Sequence, residues 1–71
     1  MKTVYAIINA EGEYFSHFTQ WQGLHANWRK GVIKTYPTEQ AAAKVVHQIE
    51  TQCLKQAIVI DVVLVAREVD L

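Results

Sequence analysis

A single cysteine, a single proline and three glycines punctuate the chain, and charge of neither sign is in excess. One thiol cannot close an internal disulfide, which excludes a disulfide-stapled secreted scaffold and points to a reducing, cytoplasmic setting. The glycines, at positions 12, 23 and 31, stand too far apart to cradle a phosphate. The longest apolar stretch, Ala57 to Ala66, is interrupted by Asp61 and falls far short of the ~20 residues a membrane span needs. The run Val4 to Ile8 is short and carries no cleavage-site pattern, so no signal peptide is expected. Seven basic residues balance seven acidic ones, which counts against strong electrostatic capture of nucleic acid.

What is present is 71 residues, 51% hydrophobic and 20% charged, the composition of one small domain over 1–71 rather than a disordered tail or a coiled coil. A chain this short buries only ~60% of the surface its unfolded form exposes, so its core is marginal and a partner chain would help.

Met1 to Ala10 reads as a strand, with Val4, Tyr5, Ile7 and Ile8 β-branched or aromatic, and it stops at Glu11-Gly12-Glu13. Tyr14 to Phe18 resumes as a second strand, so residues 3 to 18 form a hairpin. Strict alternation puts Tyr14, Ser16 and Phe18 on one face, Phe15 and His17 on the other. Thr19 to Lys30 reads as a loop with one helical turn around Leu24 to Trp28, because neither period persists. Val32 to Tyr36, with Ile33 alternating between Val32 and Lys34, reads as a short third strand at an edge.

A helix follows over Thr38 to Leu54. Thr38 is a good N-cap, Glu39 suits the positive end of the helix, and Ala41-Ala42-Ala43 has the strongest helix propensity in the chain. Ala42, Val45, Val46, Ile49 and Cys53 make one apolar stripe. Ala57 to Glu68 reads as the closing strand. Ile58, Ile60, Val62 and Leu64 face one way; Val59, Val63 and Val65 face the other, with Asp61 among them. A strand apolar on both faces normally lies inside a covered sheet, and a central place beside the first strand would explain it. One helix covers one face only, so the other needs the Trp-bearing loop, a second copy or a foreign partner. The expected fold is α+β: a small antiparallel or mixed sheet of three to four strands, in the order β-β-β-α-β, with one helix on one face.

The charges are unevenly placed. Residues 14–38 carry Arg29, Lys30 and Lys34 and no acid, a net +3, and hold six of the seven aromatic residues. Cations interleaved with rings suit a single-stranded or hybrid nucleic acid, where cations hold phosphates and rings stack on bases. Tyr, Trp and Arg equally make protein–protein hot spots, and in so small a domain some of the rings must be core. His17, His25, His47 and Cys53 show neither C-x-x-C nor H-x-x-x-H spacing, so no metal is expected, and no cofactor. Glu11 and Glu13 should both be solvated, and neighbours on a strand put Ser16 and His17 on opposite faces, so no hydrolytic centre is expected.

Val4-Tyr5-Ala6, Gly12-Glu13-Tyr14, Trp21 or Trp28, Tyr36-Pro37-Thr38-Glu39-Gln40-Ala41 and Ile58 to Val65 together resemble a class of small proteins common in bacteriophage and prophage genomes. Their pattern is a Tyr-bearing opening strand, a Gly-centred hairpin, a Trp-bearing loop, an aromatic-x-Thr-x-x-Ala helix start and a hydrophobic closing strand. Some small prophage proteins of this size bind host proteins, including CRISPR nucleases. Tyr5-Ala6, Thr19-Gln20-Trp21 and Lys34-Thr35-Tyr36-Pro37-Thr38 with Ala41 also resemble the viroplasmin-like domain that precedes some ribonuclease H domains and binds RNA–DNA hybrids. That likeness covers about residues 4 to 46 and implies Trp21, Trp28, Arg29, Lys30 and Lys34 as contacts.

The expectation is therefore a non-enzymatic interaction module of phage or prophage origin. It would join a second copy, or a host or phage protein, through the sheet face away from the helix, with Phe15, Trp21, Trp28, Val59, Val63 and Val65 at the interface. The alternative is a nucleic-acid-binding module using the segment Trp21 to Lys34.

Overall fold

The structure, a computed structural model, describes residues 2–32 and 34–70. β1 (Lys2–Asn9) ends where the Asn9 side chain turns onto the backbone ahead of it: its Oδ1 accepts from the N–H groups of Glu11 and Glu13, each at 3.0 Å. Gly12 completes the turn at φ +80°, a conformation that needs no Cβ, and the chain returns as β2 (Tyr14–Gln20).

The strict alternation expected along β2 does not hold. A register shift lies between Phe15 and His17. A bulge adds one residue to one strand and turns everything beyond it to the opposite face. Phe15 and Phe18 therefore share a side, with ring centroids 4.9 Å apart.

β3 is Leu24–Arg29, in the segment read as a loop from the sequence, and it follows a turn with Gln22 at φ +52° and Gly23 at φ +118°. Its alternation is regular: Leu24, Ala26 and Trp28 face one way, His25, Asn27 and Arg29 the other. Ala26 and Asn27 have weak strand propensity and mask it. The strand expected at Val32–Tyr36 is reduced to one isolated bridge between Tyr36 and Tyr5. Ile33, and Met1 of the opening strand, lie outside the described residues.

α1 (Glu39–Lys55) starts as expected: the Thr38 Oγ1 accepts from the Ala41 N–H at 3.1 Å. Ala42 and Ile49 of the apolar stripe are fully buried, and Val45, Val46 and Cys53 pack around them. The helix ends with Ala57 at φ +58° and the Ile58 N–H donating to the Cys53 carbonyl at 2.8 Å, a left-handed cap made without glycine.

β4 (Val62–Val69) is shorter at its start than the expected Ala57 to Glu68. It pairs antiparallel with β1 from Lys2↔Val69 to Asn9↔Val62, and beyond Asn9 the first strand has already turned away. Residues 58–61 thus have no strand beside them among the described residues. The sheet order is β3-β2-β1-β4, so the closing strand does join the first but lies at the edge, not the centre.

The sheet is curled because its middle seam is short. β1 and β2 pair at Ile8↔Tyr14, after which β2 swings off at its bulge. Tyr36 takes the vacated edge of β1: the Tyr5 N–H donates to the Tyr36 carbonyl at 2.9 Å, and the Tyr36 N–H to the Tyr5 carbonyl at 2.8 Å. The helix lies in the concavity, over a core of Ile7, Phe15, Tyr36, Ala42 and Ile49. Trp28 meets Phe15 edge-on with centroids 5.8 Å apart. Burial raises the Tyr36 phenol above its ordinary pKa.

Candidate interaction surface

Strand parity decides which side chains the helix covers. Ile7 and its partner Leu64, with Val62 two residues away, belong to the helix side. Val4, Ala6 and Ile8 of β1 and Val63, Val65 and Arg67 of β4 therefore point to the other side, joined there by Tyr14, His17 and Thr19 of β2 and His25, Asn27 and Arg29 of β3. The helix does not lie over that side, where Ala6 is nevertheless fully buried among its neighbours and Val63 is the most exposed of the apolar β1 and β4 side chains.

The open side has two unlike halves. Across β2 and β3 it is polar and internally satisfied: the Asn27 Nδ2 donates to the Thr19 Oγ1 at 2.7 Å and to the His17 carbonyl at 3.2 Å. Across β1 and β4 it is apolar, and Val63 remains 59% exposed there. Val4, Ile8 and Val65 are half-buried beside it.

The edge next to this apolar half is backbone. Tyr5 commits both its backbone groups to Tyr36, on the side of β1 away from β4. Antiparallel partners alternate between hydrogen-bonded and non-hydrogen-bonded pairs. Tyr5↔Ala66 is thus a non-hydrogen-bonded pair, and the Ala66 N–H and carbonyl point out of the sheet. The same alternation turns those of Val62, Leu64 and Glu68 outward, while Val63, Val65 and Arg67 bond to β1.

The expected interface residues divide on this frame. Val63 and Val65 lie on the open side as read from the sequence. Val59 is 97% exposed, but in the segment before β4 rather than within the strand. Phe15 is only 3% exposed: the bulge in β2 leaves it on the helix side, in the core, and it is no interface residue of this surface. Trp28 is half-buried against Phe15 on that same side. Trp21 stands 75% exposed at the turn between β2 and β3.

The residues of the nucleic-acid reading do not share one platform. Trp21 precedes β3 and Arg29 ends it, and a six-residue strand separates its ends by roughly 17 Å. Trp28 packs inward from that strand, and the Arg29 Nη1 donates to the Trp28 carbonyl at 3.0 Å. Lys30 is exposed just beyond, and the Lys34 Nζ lies 5.4 Å from the Tyr36 ring centroid, a cation–π contact.

One contact that alternation excluded is present. The Ser16 Oγ lies 2.7 Å from the His17 Nδ1, because the bulge brings consecutive side chains together. Ser16 is nearly buried, and its Oγ also reaches the Asn27 carbonyl at 3.4 Å. Among the described residues no carboxylate hydrogen-bonds the His17 ring to orient it as a base. His25 is tied to structure: its Nε2 lies 2.9 Å from the Trp21 carbonyl, and its Nδ1 lies 3.4 Å from the Gln56 Nε2.

A cleft of about 350 Å³ lies between the first turn and the segment before β4, with Glu11, Glu13, Trp28 and Asp61 on its walls. Among the described residues no three His, Cys, Asp or Glu side chains are grouped to hold a metal ion, and no helix is long and apolar enough to cross a membrane. Cys53 is half-buried, and burial pushes its thiol pKa up, away from the reactive thiolate.

No protein-family model, curated protein or solved structure matches the chain.

Proposed function

We propose that the protein is a non-enzymatic interaction module that self-associates on the sheet side its helix leaves open. Its resemblance to small phage proteins supports a phage or prophage origin. One observation carries the reading. β4 is apolar on both faces but has a cover on one, so Val63 stands 59% exposed beside half-buried Val65, Val4 and Ile8. A strand needed only for its own sheet would alternate with polar residues on the wet side. Contiguous exposed apolar surface marks an interaction site, and in so small a domain it also removes cover from a marginal core.

Static light scattering on the purified chain tests the reading. A mass of twice the chain that falls to one chain on dilution, and in the Val63→Glu variant at concentrations where the wild type is paired, is the expected result. A wild-type chain that stays monomeric at every concentration refutes it.

A further inference from the structure

Deepening the self-association reading, on which it rests, we propose that two copies join edge to edge through β4, antiparallel about a two-fold axis at Leu64, into one continuous sheet. Three independent features lead to this arrangement.

The first is the state of the edge. β4 is eight residues long, with no proline and with no bulge in its pairing to β1. Its charges, Arg67 and Glu68, sit toward one end. Proteins normally blunt long flat edges with prolines, bulges or central charges, because unpaired N–H and carbonyl groups template another strand. The outward groups of Val62, Leu64, Ala66 and Glu68 form such a row.

The second is register. A symmetric antiparallel pair must set outward residues opposite outward residues, which leaves a short series of centres along β4. Centred on Leu64, the pairing sets Asp61 opposite Arg67 of the second copy, at both ends. It also sets Val63 opposite Val65, twice. Both are non-hydrogen-bonded pairs, in which side chains approach most closely. A centre at Val65 instead puts Arg67 opposite Val63, and one at Ala66 puts Arg67 opposite Val65 and Glu68 opposite Leu64. A centre at Arg67 opposes two guanidinium groups. Of the centres at Leu64, Val65, Ala66 and Arg67, only Leu64 sets opposite charges together and Val63 against Val65, and it too leaves Glu68 opposite an apolar residue, Ile60.

The third is the stretch that precedes β4. Ile58, Val59 and Ile60 are strong strand formers without a strand partner, because β1 turns away at Asn9. In the Leu64 register Ile60 falls opposite Glu68 and Val59 opposite Val69 of the second copy. The segment that reads as strand from its residues, yet begins pairing only at Val62, finds its partner there.

Two experiments test this. In wild-type protein at concentrations where light scattering shows pairing, amide hydrogen exchange followed by NMR should be slow at Leu64 and Ala66. It should become fast at both on dilution to the monomer, while Val63 and Val65 stay protected by β1. Stacking of open faces without edge pairing would leave Leu64 and Ala66 fast throughout, which overturns the proposal while self-association stands. In the second experiment, Asp61→Arg and Arg67→Asp should each weaken self-association about tenfold or more, since each opposes like charges twice. Mixed together, the two variants should form a heterodimer, and the double reversal in one chain should restore pairing. Both variants alter exposed positions, and circular dichroism confirms the fold. Single reversals that pair like wild type, or variants that show no preference for each other, overturn the Leu64 register. A wild-type chain monomeric under all conditions overturns the register and the self-association reading together.

Discussion

Substituting Val63 by glutamate separates what the strand does for its own fold from what it does for a neighbour. In the single chain Val63 is 59% exposed, so a carboxylate there stays hydrated, and the fold should lose no more than roughly 0.5 to 1 kcal/mol, mainly from β-propensity. Association through the open face covers the rest of the side chain, whereas edge pairing beside Val65 of the second copy covers part of it. Full burial of a valine contributes about 1.5 to 3 kcal/mol, so burying the part still exposed contributes about 1 kcal/mol per copy and about 2 kcal/mol per dimer. Losing that weakens the dimer roughly 30-fold. A glutamate must also be desolvated against Val65 of the second copy, so the observed loss should exceed this figure. Sedimentation equilibrium over a concentration series gives the dissociation constant, and urea unfolding of the dilute monomer gives the fold's own stability. A Val63→Glu chain that dimerises like wild type would refute the argument that this face is an interface. A variant whose monomer unfolds several kcal/mol earlier would show instead that Val63 belongs to the intramolecular core.

Ala57 holds φ +58°, where a Cβ is strained, so Ala57→Gly should stabilise the fold by about 1 kcal/mol in urea titrations, with little change in dimerisation. The Tyr36 phenol is raised above its ordinary pKa of 10.0, so its contribution to stability is complete below pH 10 and is lost as pH rises through the higher folded value. Thermal melts across that alkaline range should fall more steeply for wild type than for Tyr36→Phe. Ile49 is fully buried on the inward face of the helix, so Ile49→Ala should cost about 2 to 5 kcal/mol by urea unfolding. If the Trp21 to Lys34 segment binds nucleic acid, a labelled RNA–DNA hybrid should shift with salt-sensitive affinity, and the Arg29→Ala/Lys30→Ala double variant should weaken it; no shift at low salt disposes of that reading.

The elements with local signals were legible in the residues. Thr38 before Glu39 and the Ala42 to Cys53 stripe define α1, and Asn9 with Gly12 sets the first turn, all within a few residues of chain. The features that the residues do not announce depend on structure brought from elsewhere in the chain. Period-two order in Leu24 to Arg29 was hidden because Ala26 and Asn27 are poor strand formers; pairing with β2 supplies what propensity does not. The bulge at Ser16 has no sequence signature here, and it sent Phe15 into the core and brought Ser16 against His17. β4 starts later than its residues suggest for the opposite reason. Ile58 to Ile60 has the propensity, but a strand needs a partner, and β1 runs out opposite Val62. Parity along β4 does not depend on where the strand begins, so the residues alone put Val63 and Val65 on the face opposite Leu64.

The two edges of the sheet are not equivalent, and this bears on what assembly can form. β3 alternates His25, Asn27 and Arg29 on the open side and is followed by Lys30; its partner strand is bulged, and the Asn27 amide is bound to Thr19 and His17. Charge and irregularity of that kind discourage strand addition. β4 carries neither device along its first five residues, Val62 to Ala66. A sheet adhesive at both edges would add copy after copy and grow into a fibre. A sheet adhesive at one edge satisfies itself in a single two-fold contact and closes. The dimer should therefore be the largest species at high concentration. Replacing the polar β3 positions with valine, as in His25→Val/Asn27→Val/Arg29→Val, should open the second edge and produce concentration-dependent larger assemblies visible by light scattering. Persistence of a discrete dimer in that variant would mean that something other than edge chemistry limits the assembly.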